Sequence, residues 1–400
     1  MTLLTSGMIE DPGSPGAPRT GVAAREPQDR PDPAQLSGQL GGQLGALLHA
    51  AALTPLDHLG WIGVTGADRV RWLNGMTTNS IQDLEPGEGN YNFLLNAQGR
   101  IQGDACAFAL SQSLLLQTSR DRVPALIELL DRFIIMDDVE LADLTATRSG
   151  LLCAGPQAAE ALHAIGIETA GLPELGLREL PWHGFALTLI HAYSPLVPRF
   201  EIWAEPAAIE ALTKALSAVP QVSGQVSGQV NGQVNGQVSG EALELLRLLE
   251  GTPRYGVDIR DRELPQETGQ TRALHFAKGC YLGQEIVERI RSRGNVHRTF
   301  HAFALHGALP APGTALEVEG KAVGELTSVA RIPLASGTVQ LALGYIRREA
   351  LEDRLSLDRA ALADANASPA LTYAGGRATP ITTPVRDTRT IPSTGDAESH

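Results

Sequence analysis

Alternating and helical hydrophobic patterns occupy the first two thirds of the chain. Residues 61–64, 90–95 and 105–110 alternate as strands do, and a turn at Gly99 joins the last two in a hairpin. A helical spacing predicts one helix whose apolar face comprises Val123, Leu126, Ile127, Leu130 and Ile134. Because strands, helices and a hairpin alternate without a regular βαβ rhythm, the predicted fold class is α+β.

From Thr299 the pattern changes to short apolar runs separated by glycine and proline. The runs lie at 300–305, 315–318, 322–329 and 341–345. This spacing is typical of a small β-barrel. The sequence therefore predicts a folded core over residues 44–298 and a separate barrel over residues 299–382.

Three polar segments lack any apolar period. Residues 1–43 are rich in Pro, Gly, Asp and Arg and predict a disordered tail, and residues 383–400 predict a second one. Five Gln-Val-Ser/Asn-Gly tetrapeptides fill residues 221–240. Their period suits neither a strand nor a stable helix, so they predict a flexible insertion within the core.

Composition and charge exclude several classes of function. The three cysteines, Cys106, Cys153 and Cys280, contain no C-x-x-C pair, which argues against a disulfide framework and against a self-sufficient four-thiolate metal site. The net charge of −13 argues against nucleic acid as a partner. No signal peptide is evident and no apolar run reaches the length of a membrane span, so we expect a cytoplasmic protein without a membrane partner.

Histidines do not change this picture. His297 and His301 fall on one face of a predicted strand and His306 follows, but no third ligand stands at a defined spacing. We therefore predict no metal site.

The segment Lys-Gly-Cys-Tyr-Leu-Gly-Gln-Glu at residues 278–285 carries the clearest chemical signal. Lys278 lies two residues before Cys280, and an apolar helix start follows the segment. A nearby cation and a helix N-terminus both lower the pKa of a thiol, which favours a reactive thiolate. A small buried cysteine in a tight turn fits the same residues, and local features leave both interpretations open.

This octapeptide resembles the signature of the YgfZ-type folate-binding proteins, relatives of the glycine-cleavage T-protein (the aminomethyltransferase). It matches Lys-Gly-Cys-Tyr-x-Gly-Gln-Glu at every defined position, and the resemblance extends over about residues 53–348. The resemblance implies a T-protein-like folate-binding core and tetrahydrofolate, or a related reduced folate, as cofactor. For the cysteine-bearing branch it also implies a role in maturing iron–sulfur proteins, with client or assembly proteins as partners.

Asp104 and Glu201 are the acids that the resemblance brings forward. Asp104 corresponds to one acid of a pair beside the reactive folate nitrogens in the T-protein, with Gly103 in place of the first acid. Glu201 matches the glutamate that holds the pterin, although Arg199-Phe200 replaces the usual glycine stretch before it. A hairpin aspartate satisfied by backbone N–H groups, and a solvent-facing glutamate on an edge strand, are the structural alternatives.

Other residues are expected to complete the pocket. Strand alternation puts Trp203 on the face of Glu201, where its ring could stack on the heterocycle, and Tyr91 and Asn96 lie on the first arm of the hairpin. Arg247 lies in a stretch similar to the family's Leu-Arg-Ile-Glu-x-Gly-x-Pro, with Leu249 where the family has its glutamate. The predicted catalytic residues are Cys280 and Asp104, and the predicted cofactor-binding residues are Glu201, Trp203, Tyr91, Asn96, Arg247 and Lys278.

Three functions follow as hypotheses. The first is a tetrahydrofolate-binding accessory factor in iron–sulfur cluster assembly or repair, in which folate lies between Glu201 and Asp104 and near the thiol of Cys280. The second is a tetrahydrofolate-dependent aminomethyl or one-carbon transferase, for which Gly103 is a lost acid. The third is a folate-binding scaffold in which the cysteine is only structural.

Overall fold

Two antiparallel sheets form the core of the chain. The computed structural model describes residues 33–223, 236–294, 296–351 and 370–386. Sheet I has five strands in the order β3-β4-β5-β2-β6. These are β2 Leu59–Thr65, β3 Gly89–Leu95, β4 Ile101–Ala109, β5 Leu114–Ser119 and β6 Glu140–Asp143. Sheet II has five strands in the order β1-β7-β10-β9-β8. These are β1 Ala52–Pro55, β7 Ser149–Ala154, β8 Leu177–Trp182, β9 Phe185–His191 and β10 Arg199–Ala204.

Helices cover the outer face of each sheet. The apolar face of α3 packs on sheet I, and α4 and α5 pack on sheet II. The inner faces share one hydrophobic core with α7 and with part of the barrel. The helices are α1 Pro33–His49, α2 Arg69–Asn74, α3 Val123–Asp131, α4 Ala158–Ala164, α5 Pro206–Ser217, α6 Pro220–Ser223, α7 Gly240–Glu250 and α8 Gln284–Arg293.

The C-terminal part is a closed barrel of six strands in the order β11-β14-β13-β12-β15-β16. Its strands are β11 Arg298–Gly307, β12 Ala315–Val318, β13 Lys321–Leu334, β14 Gly337–Arg347, β15 Thr372–Tyr373 and β16 Gly376–Ile381. The α+β class, the predicted β3–β4 hairpin and the C-terminal barrel are confirmed. None of the helices in the described ranges is both long enough and apolar enough to cross a bilayer.

The N-terminal tail ends earlier than predicted. Disorder over residues 1–43 is wrong for residues 33–43, because α1 begins at Pro33; residues 1–32 lie outside the described ranges. Leu40, Leu44 and Leu47 share one face of α1, and the last two are buried in the core with residues of α7 and β13. The glycine- and glutamine-rich composition hid this helical spacing.

Both ends of the tetrapeptide repeat are ordered, which corrects the prediction of a flexible insertion over 221–240. Val222 and Val238 are buried, and Gln237 forms a parallel bridge with Leu53 of β1. Residues 224–235 lie outside the described ranges. The predicted C-terminal tail is likewise anchored at its start, where the buried Val385 donates its N–H to the carbonyl of Leu249; residues 387–400 are not described.

Gly283 fixes the start of α8 against the tip of the β3–β4 hairpin. Its φ is +81°, and a Cβ there would lie 2.5 Å from the carbonyl oxygen of Asn96. We expect Gly283→Ala to lower the free energy of unfolding by about 1–3 kcal/mol, because it adds backbone strain and a clash. Gly279→Ala is the matched control, since a Cβ there meets nothing within 4 Å. Equal urea midpoints for the two variants would contradict the prediction.

Candidate functional site

A cavity of about 550 Å³ lies between the inner faces of the two sheets. Helix α7 and the loop that follows it form one side, and residues of several strands of both sheets, together with Tyr193 and Arg272 from connecting segments, line the other sides. Ligand pockets commonly have this size. Four of the predicted site residues line it: Tyr91, Asp104, Glu201 and Arg247.

Asp104 stands on the cavity face of β4 together with Cys106. Tyr91, which pairs with Cys106 across the hairpin, donates its hydroxyl to Oδ2 of Asp104 at 2.6 Å. Burial raises the pKa of the Asp104 carboxyl, and it also raises the pKa of Tyr91. An acid with a raised pKa keeps its proton to a higher pH than a free aspartic acid does, and such a shift is typical of groups used in acid–base chemistry.

Gly103 faces away from the cavity. A Cβ on Gly103 would lie 2.4 Å from Cδ2 of Leu126, on the side of β4 that α3 covers. The two positions of the acidic pair therefore occupy opposite faces of one strand. The acid that this chain retains is the one on the cavity face.

Glu201 is a buried carboxylate on an interior strand. It is 4% exposed, and β10 lies between β7 and β9, so the alternative of a solvent-facing edge glutamate is wrong. Its Oε1 accepts a hydrogen bond from Nη2 of Arg199 at 2.9 Å, and its Oε2 accepts one from Nε1 of Trp203 at 3.3 Å. Each carboxylate oxygen can accept a second hydrogen bond, so both remain available to a ligand.

Trp203 shares the face of Glu201, as predicted, but it does not line the cavity. The side chain is 1% exposed, and its ring packs edge-on against Trp61 and Phe108, with centroids 5.7 and 5.3 Å away. The converging inner faces bury the indole beneath the carboxylate. Trp203 therefore supports Glu201, and its ring is not available to stack on a ligand.

Arg247 lines the cavity, but the chain itself supplies its acceptors. Its guanidinium donates to both carboxylate oxygens of Glu244 and to Oδ2 of Asp258, the latter at 2.7 Å. It also reaches Oγ of Ser328 in the barrel at 2.7 Å. Glu250, the acid next to Leu249, pairs instead with the hydroxyl of Ser194. Arg247 thus joins α7 to the barrel and does not offer a free cation to a ligand.

The structure does not bring Asn96 to the cavity. Oδ1 of Asn96 accepts the backbone N–H groups of Gln98 and Arg100, both at 3.0 Å, which closes the hairpin turn. An asparagine side chain bonded to the backbone two residues ahead is a usual turn element.

Lys278 also lies outside the cavity. Its Nζ donates to the carbonyls of Asn74, Thr77 and Asn79 at 2.6–2.7 Å. Burial lowers the pKa of Lys278 to about 7, while the three carbonyl acceptors favour the charged form. The side chain ties the cysteine loop to the last residue of α2 and to the segment that follows it.

Cys280 is exposed on that loop, four residues before α8 begins. This placement removes the alternative of a small buried cysteine. It also removes the expectation that the thiol faces the pterin pocket, because Cys280 is not among the residues that line the cavity. The exposed thiol therefore lies outside the cavity that Asp104 and Glu201 line. Within the described ranges, no group of three or more His, Cys, Asp or Glu side chains could hold a metal ion.

The cavity contains further residues that the sequence reasoning missed. Arg272 lies between the rings of Tyr91 and Tyr193, with its Cζ 4.3 and 3.8 Å from their centroids, and its Nη1 has no partner among the described residues. Cys106 also faces the cavity, and burial raises its pKa to about 12. Cys106 could have been found two positions after Asp104 on the same strand face, whereas nothing local marks Arg272.

Comparison with known proteins gives this architecture a family. The model of the GCVT N-terminal domain matches residues 42–278. The chain belongs to the GCVT family. The resemblance to the T-protein superfamily is therefore confirmed. In this GCVT-family chain, residues 298–369 also match the CAF17 C-terminal beta-barrel domain.

Several relatives of this GCVT-family chain have low sequence identity to it but match most of its length. The chloroplastic Arabidopsis thaliana protein At1g60990, which carries the name of a transferase, is 25% identical over 76% of this chain and 66% of its own length. An aminomethyltransferase of Thermotoga maritima is 24% identical over 74% of this chain and 79% of its own length.

The cytoplasmic location expected from the N-terminus stays a prediction.

A solved structure supports the same fold. Glycine cleavage system aminomethyltransferase T from Bartonella henselae superposes with a TM-score of 0.70 at 19% identity. The superposition covers 86% of this chain and 89% of the other. At this identity the likeness establishes the T-protein-like fold.

Proposed function

We propose that this chain binds tetrahydrofolate, or a related reduced folate, in the cavity between the two sheets. The buried carboxylate of Glu201 is the observation that carries the proposal. A pterin ring presents an amide N–H beside an amino group, and a carboxylate can accept both as a bidentate pair. The family to which the chain belongs supports the same ligand.

The polar groups of the cavity fit such a ligand. Nε of Arg199 and Nη1 of Arg272 are buried without a partner in the part of the chain that the structure describes. Buried donors without acceptors are costly, and a folate carries carbonyl and carboxylate oxygens that can accept from them. Asp104 and Tyr91 stand on the opposite sheet from Glu201, where they would face the same ligand.

Calorimetric titration with tetrahydrofolate tests this binding. We expect Glu201→Gln to weaken affinity at least tenfold, because losing a charge-assisted hydrogen bond costs roughly 1.5–3 kcal/mol. Glu205→Gln is a suitable control, since Glu205 is exposed and precedes α5 beyond the end of the same strand. Unchanged affinity in Glu201→Gln, with folding intact, would contradict pterin recognition by this carboxylate.

We further propose that the folate-bound protein is an accessory factor in iron–sulfur cluster assembly or repair. The YgfZ-type signature around Cys280 supports this role, and so does the exposure of the thiol. An accessible thiol can contact a client protein directly, whereas a cysteine inside the folate cavity could not. The cavity and the cysteine loop would then act as separate surfaces, with folate in one and the client at the other.

A folate-dependent aminomethyl or one-carbon transferase is the second candidate. Asp104 favours it, because the retained acid is the one that faces the cavity and Gly103 points away from it. The relatives that carry the name aminomethyltransferase point the same way. Turnover of an aminomethyl-lipoyl carrier protein, lost in Asp104→Asn, would establish this activity.

A further inference from the structure

Arg199 stands directly beside the carboxylate that is proposed to hold the pterin. Arg199 and Glu201 are two residues apart on β10 and therefore share one face of the strand. Nη2 of Arg199 lies 2.9 Å from Oε1 of Glu201, and the guanidinium lines the cavity. Its Nε has no hydrogen-bond partner among the described residues. The pair thus offers a carboxylate and a cation side by side.

The two oxygens of Glu201 are not equivalent. Oε2 is bonded to the indole of Trp203, which lies beneath it in the core, while Oε1 is bonded to Arg199. A ligand that donates two parallel N–H groups to Glu201 would place one of them beside Arg199. The next atom along the edge of that ligand would then meet the guanidinium, which can only donate hydrogen bonds.

A 4-oxo pterin presents the matching edge. Its 2-amino group and N3–H are adjacent donors, and its 4-oxo oxygen follows N3 as an acceptor. The Glu201–Arg199 pair presents the complementary order of two acceptors and then a donor. We propose that Arg199 is a specificity-determining residue that accepts pterins with a 4-oxo group and rejects their 4-amino analogues; this inference rests on the proposed folate binding.

A purely electrostatic role for Arg199 makes a different prediction. If the guanidinium only neutralised or positioned Glu201, its removal would weaken every ligand that Glu201 holds by the same factor. If the guanidinium donates a hydrogen bond to the 4-oxo oxygen, its removal lowers the affinity for the 4-oxo ligand more than the affinity for the 4-amino ligand. The ratio of two affinities therefore separates the two roles.

Tetrahydrofolate and tetrahydroaminopterin, which differ in the 4-oxo and 4-amino groups, are the probes. Calorimetry should show that the unmodified protein prefers tetrahydrofolate at least tenfold, the scale of one charge-assisted hydrogen bond. The 4-amino analogue also lacks the N3–H, so Glu201 contributes to this preference. Arg199→Met should remove only the contribution of Arg199 to this preference. The ratio of the two affinities should fall about tenfold, mainly because tetrahydrofolate binds more weakly.

Controls keep the result specific. Arg178→Met removes a half-buried arginine of the same sheet that does not line the cavity, and it should leave the preference unchanged. Arg199→Lys keeps the charge but loses the planar fork, so it should also shrink the preference, and it serves if Arg199→Met does not fold.

Three outcomes decide the matter. A smaller preference in Arg199→Met or Arg199→Lys, with Arg178→Met unchanged, supports the reading of the 4-oxo group. Equal weakening of both ligands, or an unmodified protein that binds both equally, overturns it while leaving folate binding intact. Failure of the unmodified protein to bind either ligand overturns the proposed function itself, and this inference with it.

Discussion

Arg247→Met is expected to lower the free energy of unfolding by about 3–5 kcal/mol, the usual effect of removing one partner from a buried ion pair. Asp258 is 0% exposed, and Arg247 is the cation that pairs with it. The methionine would leave this carboxylate buried, and its remaining donors among the described residues are two hydroxyls and a backbone N–H, from Thr327, Ser328 and Arg254. Urea denaturation followed by far-UV circular dichroism measures the loss.

Arg254→Met provides the matched control. Arg254 pairs with Glu244 across 3.2 Å, but its side chain is 53% exposed, so its loss should cost at most about 1 kcal/mol. The double variant Arg247→Met, Asp258→Asn should recover part of the stability, because it removes the unpaired charge. If Arg247→Met and Arg254→Met cost the same, Arg247 is not the structural tie described above.

Cys280→Ser is expected to abolish rescue of iron–sulfur enzyme activity in cells that lack this protein, while tetrahydrofolate affinity stays unchanged. The thiol is exposed and outside the cavity, so replacing its sulfur with oxygen removes a soft ligand and nucleophile without disturbing the proposed folate site. Enzyme assays in complemented cells and calorimetry on the purified variant measure the two effects.

Both outcomes of that experiment are informative. A thermal melt of the purified variant checks that Cys280→Ser is folded, and matched expression levels make the complementation comparable. Full rescue by the serine variant would refute a role for the thiol and would favour the scaffold hypothesis. If Cys280→Ser lost both folate binding and rescue, the result would instead show that the cysteine loop and the cavity are coupled.

Hydrophobic periodicity was sufficient to predict features that depend on a single strand or hairpin. The β3–β4 hairpin and the barrel followed from alternation and from glycine and proline spacing. The same alternation placed Glu201 and Trp203 on one face, which the hydrogen bond between them confirms. The helical spacing of Leu40, Leu44 and Leu47 is also visible in the sequence, but the glycine- and glutamine-rich composition led to a prediction of disorder for this segment.

Long-range contacts decided what the sequence could not. Trp203 packs against Trp61 and Phe108 from the opposite sheet, so only the sheet packing shows that its ring is not in the cavity. Lys278 bonds to carbonyls about 200 residues earlier, beyond any local pattern. Arg272 enters the cavity between tyrosines from two different segments.

The hydroxyls of Thr327 and Ser328, which lie in the barrel, bond to the carboxylate of Asp258 in the core. A shortened chain that stops before Arg298 would remove these donors and would also remove Ser328 as an acceptor of Arg247. The C-terminal barrel therefore holds Arg247, a residue of the cavity wall, in place from behind. Truncation before the barrel should destabilise the core as well as remove the barrel.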